Sequence, residues 1–401
     1  MTGRNSKPFE HWLAESALGD RPLAELFNGF TAHLVENGVK LSRAYFGMST
    51  RHPLIQAFDM TWEPEEEKLA QSVFDHTWRR SSAWGDSPLR HMILTNQPRM
   101  RRSLQGPDAV LDFPLFEELA ARGFIDWYGA ISGFEADSIL QSPAALGMAC
   151  SWSTASPTGF ADAHLELINR LFPIFAVSVK AAVMPTITRA LLGAYLGADA
   201  ATRVWSGATN RGSIERVEAA IFFSDLRGFT AFAEETDSEL VMTTLNRYFD
   251  LVGAAIVAEG GHILKFMGDG ILATFAQPDA NVCEQALRAA RTAVHAVAAT
   301  TEPAVQRLDL GIALHKGEVM YGNVGTPDRL DFTMIGPAVN EAARMEKLTK
   351  ALGCAILASD SFQAALAESR DLLQPVGLHP LSGLSAPRPL YRVALDSRIA
   401  V

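Results

Sequence analysis

The sequence has few cysteines and none of the spacings that a covalent or thiolate framework requires. Among its 401 residues are three cysteines, Cys150, Cys283 and Cys354, which lie far apart and form no CxxC pair. A disulfide framework or a thiolate zinc site within one chain needs closely spaced cysteines, so both are excluded. A reducing, intracellular setting is the expectation.

Excess basic charge and long apolar runs are also missing. The net charge of -10 argues against nucleic acid or an anionic membrane as the main partner, because phosphate binding depends on Lys and Arg. The first twelve residues, MTGRNSKPFEHW, lack the apolar core of a signal peptide. The most apolar long stretch, 171–197, is interrupted by Lys180, Pro185 and Arg189 before it reaches the roughly 20 residues that a bilayer requires. We therefore expect a cytoplasmic protein with no membrane span and no nucleic-acid partner.

What the sequence does contain is typical of a globular protein with two domains. Its hydrophobic content of 48% and charged content of 20% are ordinary for such proteins. A chain of this length exceeds what one hydrophobic core usually serves. Neither a P-loop, a dinucleotide-binding glycine fingerprint nor an HExxH motif is present.

The first half of the chain predicts a regulatory domain at residues 1–184. A helical pattern at 22–38 and an alternating strand pattern at 39–50 are followed by further strand-like segments. An amphipathic helix then places four apolar residues on one side: Leu165, Ile168, Leu171 and Phe172. Helices flanking an antiparallel sheet resemble a GAF-type α/β sensor domain, which implies an unknown small-molecule ligand; a dimerising scaffold without a ligand is an equal alternative. Residues 185–216 predict a helical connector with interruptions at glycine.

The second half, 217–401, predicts an α+β domain. Its segments alternate strand, helix, hairpin, helix and strand, at 219–226, 237–261, 261–275, 280–299 and 307–317. This order is a ferredoxin-like split βαβ arrangement with helices on one face of the sheet. It places the first strand beside the hairpin.

Two acidic residues occur at points where those strands end. Asp225 closes an apolar run, where it could also cap a following helix. Asp269 lies at an Asp-Gly hairpin turn, where it could be a plain turn residue. If the strands are neighbours, the two carboxylates repel each other and raise each other's pKa unless a cation lies between them. Hard oxygen ligands suit Mg²⁺ or Mn²⁺, so the pair is a candidate two-metal site for phosphoryl chemistry.

Four segments, FFSDLRGFT, ILKFMGDGILATF, GIALHKGEVMYGNVG and DFTMIGPAVNEAARME, resemble in this order the catalytic domain of class III nucleotidyl cyclases, particularly bacterial adenylate cyclases. The resemblance covers about residues 217–393. It implies conversion of ATP to 3′,5′-cyclic AMP and pyrophosphate by attack of the 3′-hydroxyl on the α-phosphate, assisted by two Mg²⁺ or Mn²⁺ ions in each active site.

The resemblance also implies the role of each matching residue. The positions that match the metal ligands are Asp225, Asp269 and, through its carbonyl, Leu226. The substrate-binding positions are Lys265, Thr333, Phe229 and Thr230. The positions that orient the ribose and stabilise the pentavalent transition state are Asn340 and Arg344, which share one helix face at i, i+4 spacing.

Base preference depends most on Lys265. An ammonium group only donates hydrogen bonds, and adenine N1 accepts one whereas guanine N1 carries a hydrogen. Guanylate cyclases of this family have a carboxylate at the position of Lys265, so ATP is favoured; the hydroxyl of Thr333 donates or accepts and is less decisive. The alternatives are a guanylate or other nucleotide cyclase, and a catalytically silent module that binds nucleotide and dimerises.

The resemblance further implies a homodimer. One subunit supplies the metal ligands and its partner the base-reading and transition-state residues, so the amino-terminal domain can regulate activity by changing how two copies pack.

One departure from the family pattern concerns the residue that contacts the nucleotide phosphates. The family commonly has a basic residue in an L-K/R-G segment, but this chain has Ser382 there, so the contact is missing or comes from another group such as Arg388.

Overall fold

A computed structural model describes residues 9–19, 21–64, 69–78, 81–134, 146–277 and 281–395. Its helices are α1 Phe9–Leu18, α2 Leu23–Glu36, α3 Ser82–Gly85, α4 Pro88–Leu94, α5 Pro114–Ala121, α6 Asp162–Leu196, α7 Ala198–Trp205, α8 Phe229–Glu235, α9 Ser238–Ala258, α10 Val282–Ala299, α11 Pro337–Glu346, α12 Leu348–Ala351 and α13 Asp360–Ala365. Its strands are β1 Arg43–Ser49, β2 Ala57–Trp62, β3 Ala70–Phe74, β4 Arg99–Ser103, β5 Asp126–Gly133, β6 Gly147–Thr154, β7 Ile214–Arg227, β8 His262–Met267, β9 Gly270–Phe275, β10 Asp309–Gly325, β11 Leu330–Ile335, β12 Ile356–Ser359, β13 Leu373–His379 and β14 Arg388–Val393. The chain forms two compact units, Met1–Leu191 and Leu192–Val401.

The amino-terminal unit is built on an antiparallel sheet with the strand order β3-β2-β1-β6-β5-β4. Helices α1, α2 and α6 supply the core on one face, where the ring of Phe30 stacks on Phe175 at 4.3 Å. Helices α4 and α5 cover the other face, where Phe116 meets Trp127 edge-on at 4.9 Å. An antiparallel sheet flanked by helices is therefore confirmed, whereas the GAF resemblance stays a prediction.

The long helix α6 extends further than the sequence predicts. It runs for 35 residues through Pro173 and Pro185, although the latter was expected to begin an interrupted connector. Packing of its apolar side outweighs the hydrogen bond that a helical proline removes, because Val183 and Ile187, on either side of Pro185, are buried. The break comes at Gly197, whose φ of +82° favours glycine.

Two helices are long and apolar enough to span a membrane by length and composition. They are α6, with a mean hydropathy of 1.6 over its most apolar window, and α9, with 1.2. Parts of both windows, 39% and 33%, are buried within the protein. The expectation that the chain has no membrane span stays a prediction.

The carboxy-terminal unit is built on an eight-stranded sheet. The strand order is β13-β14-β12-β10-β7-β9-β8, and β11 pairs with β10. β7 lies between β10 and β9, so the predicted contact between the first strand and the hairpin is confirmed.

Helices cover both faces of this sheet, so the expectation of helices on one face is wrong. Ala220 and Phe222 of β7 point into a core formed with α9 and α10, as predicted. Ala219 and Ile221 point the other way, into a second core that includes Ala338 of α11. A strand that is apolar on both sides needs a cover on both faces.

The hairpin turn also differs by one residue from the sequence pattern. Met267 pairs with Gly270, so the two turn residues are Gly268 and Asp269 and not Asp269 and Gly270. The positive φ that a two-residue turn requires is at Gly268, at +67°. Asp269 is therefore at the tip of the hairpin.

Candidate active site

Asp225 lies inside a strand and does not cap a helix. β7 continues to Arg227, and the N-cap of α8 is Gly228, with φ at +79°. The pairing of β7 with β9 ends at Ser224 and Ile271, so Asp225 lies just beyond it, at the hairpin end. A Cβ atom added to Gly270 would lie 3.2 Å from Asp225 Oδ1, so the glycine leaves room for that carboxylate.

The electrostatics show that the carboxylates of Asp225 and Asp269 act on each other. Burial raises the pKa of Asp225 to about 6, and the negative charges of Asp269 and Glu346 contribute to the rise. Burial also raises the pKa of Asp269, although the backbone N–H groups of Asp269 and Leu226 donate to its carboxylate and oppose the rise. The N–H and C=O of one strand residue point to the same side, so the Leu226 carbonyl also faces the hairpin tip.

Glu346 is a third carboxylate near the site, and sequence reasoning missed it. It is buried on α11, above β10, where a Cβ atom on Gly311 would lie 2.5 Å from its Oε1. Gly311 is the register partner of Asp225. Burial raises the pKa of Glu346, opposed by the hydroxyl of Thr349, which donates to Oε1 at 3.4 Å. The sequence feature that could have identified Glu346 is its position next to Met345, on the side of α11 that faces the sheet.

The residues present fit a hard divalent cation. Two carboxylates and a backbone carbonyl are oxygen ligands of the kind that Mg²⁺ and Mn²⁺ take. Burial raises the pKa of Asp225, the negative charges of Asp269 and Glu346 add to the rise, and the positive charge of Lys347 offsets it only in part. No group of three His, Cys, Asp or Glu residues arranged to hold a metal ion occurs in the described part of the chain. Waters and substrate phosphates would therefore complete the coordination, as is usual for Mg²⁺.

Lys265 and Thr333 form a second group. Lys265 of β8 donates from Nζ to Asp331 Oδ2 of β11 at 2.5 Å. Phe332 and Met334 of β11 point into the core, so Asp331 and Thr333 share the opposite face of that strand. The structure thus brings both predicted base-reading residues to one surface, together with Asp331, for which the sequence analysis predicted no role.

Asn340 and Arg344 form a third group on α11, which begins at Pro337 as predicted. Asn340 is exposed, and the guanidinium of Arg344 packs over Gly383, where an added Cβ would lie 3.3 Å from Nη2. Neither side chain makes a hydrogen bond or ion pair with another described residue. Both are available to a substrate.

The remaining predicted residues lie next to these groups. Phe229 packs on the core beside Phe232, and Thr230 is exposed in the first turn of α8, directly after the strand that carries Asp225. Arg388 lies 3.6 Å from Glu341 of α11, one turn before Arg344, so that acid already offsets part of its charge. A phosphate contact from Arg388 stays a prediction.

Comparisons with known proteins concern the carboxy-terminal unit. Residues 213–383 match the model of the adenylate and guanylate cyclase catalytic domain. The chain is 39% identical over 149 residues to an adenylate cyclase of Anabaena cylindrica, and 30% identical over 186 residues to adenylate cyclase 1 of Rhizobium meliloti. These matches cover 35% and 44% of this chain. The carboxy-terminal unit therefore carries an adenylate/guanylate cyclase catalytic domain.

The matches are partial. The chain spans 29% and 28% of the length of those two relatives. Among solved structures, a bacterial light-regulated adenylyl cyclase is similar at 27% identity and a TM-score of 0.47, over 56% of this chain and 65% of that one.

Proposed function

We propose that the protein is an adenylate cyclase that converts ATP to 3′,5′-cyclic AMP and pyrophosphate as a homodimer. The observation that carries the proposal is the mutual approach of Asp225 and Asp269 at the hairpin end of a cyclase catalytic domain. Lys265 favours ATP over GTP because its ammonium only donates. The two adenylate cyclases that match this domain support the same substrate.

In this proposal each group of residues has one task. Asp225, Asp269 and the Leu226 carbonyl hold two Mg²⁺ or Mn²⁺ ions, which supply Lewis-acid stabilisation of charge on the phosphates when bound. Asn340 orients the ribose, and Arg344 stabilises the charge on the pentavalent transition state. A bond forms between O3′ and the α-phosphorus, the bond from that phosphorus to its bridging oxygen breaks, pyrophosphate leaves with the electron pair, and the hydroxyl proton passes to water.

A second copy of the chain completes the site. In the family that the sequence resembles, one subunit supplies the metal ligands and its partner supplies the base-reading lysine, so we assign the metal ligands of one subunit and the Lys265 of its partner to one ATP. β8 is an edge strand that exposes Phe266 and Met267 at 50% and 37%. An apolar edge of this kind is suited to an interface between copies.

The amino-terminal unit is proposed as a GAF-like regulatory domain. Its sheet, covered by helices on both faces, supports that assignment. A small-molecule ligand that changes how two copies pack would shift the population of competent dimers. The identity of that ligand is left open.

The test is activity of the purified chain and of mixed variants. Wild type with Mg²⁺ or Mn²⁺ is expected to form cyclic AMP from ATP and far less cyclic GMP from GTP. Asp225→Asn and Arg344→Ala are each expected to be inactive, whereas an equal mixture regains about a quarter of the activity, because half the dimers are mixed and one of their two sites is intact.

The outcomes separate the alternatives. A guanylate cyclase would prefer GTP in the same assay. A silent module would bind nucleotide and form no cyclic product. Cyclic AMP formation with no recovery in the mixture would contradict the shared site.

A further inference from the structure

A cavity of about 490 Å³ lies at one corner of the amino-terminal sheet. It is found where the edge strand β4 ends at Ser103 and β5 begins at Asp126, and these two residues are register partners. The loops at 104–113 and 155–161 complete its lining. Small-molecule sites usually measure about 300–1,000 Å³, so the cavity is large enough for a ligand. The described residues that line it belong to the amino-terminal unit, whereas the candidate active site belongs to the carboxy-terminal unit.

Arg101 of β4 gives the cavity a cation that the chain holds in place. Its Nε and Nη2 donate to the carboxylate of Asp126 at 3.1 and 2.7 Å, and Nη2 also donates to the Phe160 carbonyl at 2.7 Å. Among the described residues, Nη1 makes no hydrogen bond and lies 3.9 Å from the carboxylate of the exposed Asp162. The planar guanidinium is thus held along one edge, while the two N–H groups of Nη1 are available to a ligand.

Gly159 allows the loop before α6 to approach this ion pair closely. Its φ is +62°, and a Cβ atom added there would lie 2.7 Å from Asp126 Oδ2. The next residue, Phe160, donates its N–H to the same oxygen at 2.9 Å. A side chain at position 159 would therefore strain the backbone and displace the carboxylate. Because the chain already holds Asp126 and Arg101 together, the guanidinium loses little freedom when a ligand binds, which favours affinity.

Asp108 gives the cavity an acid without a partner in the described part of the chain. It is exposed in the β4–α5 loop and makes no hydrogen bond or ion pair with another described residue. The second arginine of the lining, Arg102, donates from Nε and Nη2 to Asp112, so its charge is already offset. The Val110 N–H donates to the Ser103 carbonyl at 2.9 Å and fixes the loop beside β4. One available positive group and one available negative group therefore line the same cavity.

The rest of the lining is partly apolar. Val110 is 44% exposed, Ile125 is half-buried and Pro157 is exposed. Such side chains suit the aliphatic body of a ligand, because contact removes apolar surface from water. A phosphate ester is disfavoured, because nearly two negative charges would meet Asp108 with one available arginine edge to offset them.

We propose that this cavity binds an amino acid with an aliphatic side chain, whose carboxylate accepts from Arg101 and whose ammonium donates to Asp108. An amino acid combines a negative group, a positive group and an apolar body in one small molecule, as the lining requires. The inference goes beyond the proposed function, which leaves the ligand of the amino-terminal unit open.

The experiment is titration calorimetry on the full-length chain with L-leucine as the probe. Two analogues each remove one charge: 4-methylpentanoate lacks the ammonium, and 3-methylbutylamine lacks the carboxylate. Inorganic phosphate tests for a simple anion site. Asp108→Asn removes the acid and keeps its shape, whereas Val110→Trp fills the cavity. Val73→Trp is the matched control, because it enlarges a 66% exposed valine of β3, at the opposite edge of the sheet.

The expected results are specific to a zwitterion. Leucine binds the wild type, and both analogues bind at least about tenfold more weakly, because each lacks one charge-assisted hydrogen bond. Asp108→Asn weakens leucine binding about tenfold but leaves 4-methylpentanoate binding equal or tighter, because the acid repels a carboxylate. Val110→Trp abolishes binding, whereas Val73→Trp binds leucine as the wild type does. Thermal melting checks that each variant is folded, and Asp108→Asn carries the test by itself if Val110→Trp does not fold.

Other results would overturn the inference. Leucine that does not bind the folded wild type excludes the zwitterion, and phosphate binding in its place means an anion site. Equal affinities for leucine and 4-methylpentanoate mean that Asp108 takes no part. Leucine binding that survives in both Asp108→Asn and Val110→Trp means that the ligand binds elsewhere. Cyclic AMP formation from ATP is measured separately, so failure of the inference is distinguishable from failure of the proposed function.

Discussion

Each of the two units of this protein has an aspartate in a strand, and the surroundings of the two aspartates differ. Asp126 of β5 is buried, accepts from Nε and Nη2 of Arg101 at 3.1 and 2.7 Å, and accepts from the Phe160 N–H at 2.9 Å. Asp225 of β7 is half-buried and faces the negative charges of Asp269 and Glu346. The carboxylate of Asp126 is paired and hydrogen-bonded by other groups of the chain, whereas the carboxylate of Asp225 is repelled by neighbouring carboxylates.

The difference separates a structural acid, Asp126, from an acid that we propose to bind metal, Asp225. A buried charge that the chain pairs and hydrogen-bonds needs nothing further. Carboxylates gathered without enough positive charge raise each other's pKa, and strongly perturbed groups of this kind mark functional sites. Glu284 is a second example of the first kind: burial raises its pKa, but bonds from the backbone of residues 367–369 outweigh that effect and lower it.

The largest expected effect comes from neutralising the binding acid. Asp225→Asn keeps the shape and removes a proposed metal ligand, so the proposed cyclase activity should fall by about a hundredfold or more. The thermal midpoint of the metal-free protein at pH 7.5 should stay the same or rise, because a repulsive charge is removed. Cyclic AMP formation measures the activity, and calorimetry measures the thermal midpoint. A lower thermal midpoint together with activity near that of the wild type would contradict the distinction between Asp225 and Asp126.

The corresponding substitution in the amino-terminal unit, Asp126→Asn, should lower the stability of the fold. It removes a buried charge that Arg101 and the Phe160 N–H satisfy, at an expected loss of about 1–3 kcal/mol in the free energy of unfolding. Urea unfolding of the full chain, followed by tryptophan fluorescence, measures it, with Arg101→Lys as the milder control. Stability equal to wild type would mean that this acid is not structural.

Metal affinity should depend on pH, with a sign fixed by the raised pKa of Asp225. The folded state holds this proton more tightly than the unfolded state, so the group favours the metal-free fold at low pH, and that contribution is lost as pH rises through about 6. Mn²⁺ competes with the proton, so binding should be about fourfold or more tighter at pH 7.5 than at pH 5.5. Titration calorimetry measures the affinity. Equal affinities at both pH values would contradict the prediction.

The smallest expected effect belongs to Glu346→Gln. Removing its charge lowers the pKa of Asp225, so the midpoint of the pH dependence of Mn²⁺ binding should move down by less than about one pH unit. The change sharpens the comparison because Glu284→Gln, which alters an acid that the chain satisfies, should leave that midpoint in place. A shift of the midpoint to higher pH would show that Glu346 does not act on Asp225 through its charge.

Much of the fold could be read from local patterns. The hairpin at β8–β9, the capped helices α9 and α10, and Pro337 at the start of α11 all follow from spacing, turn residues and caps. The features of the fold that local patterns did not predict depend on long-range packing. It continues α6 through Pro185, and it places α11 on the second face of the sheet.

Sequence patterns alone indicate the residues that we propose to carry the chemistry, because segments with a characteristic order and spacing contain them: Asp225, Asp269, Lys265, Asn340 and Arg344. Which further side chains these residues meet depends on the fold. Glu346 and Asp331 lie far along the chain from Asp225 and Lys265, and pairing of β7 and β11 with β10 brings them close. Charges interact through space, so their effect depends on a separation that strand register sets and that local sequence does not contain.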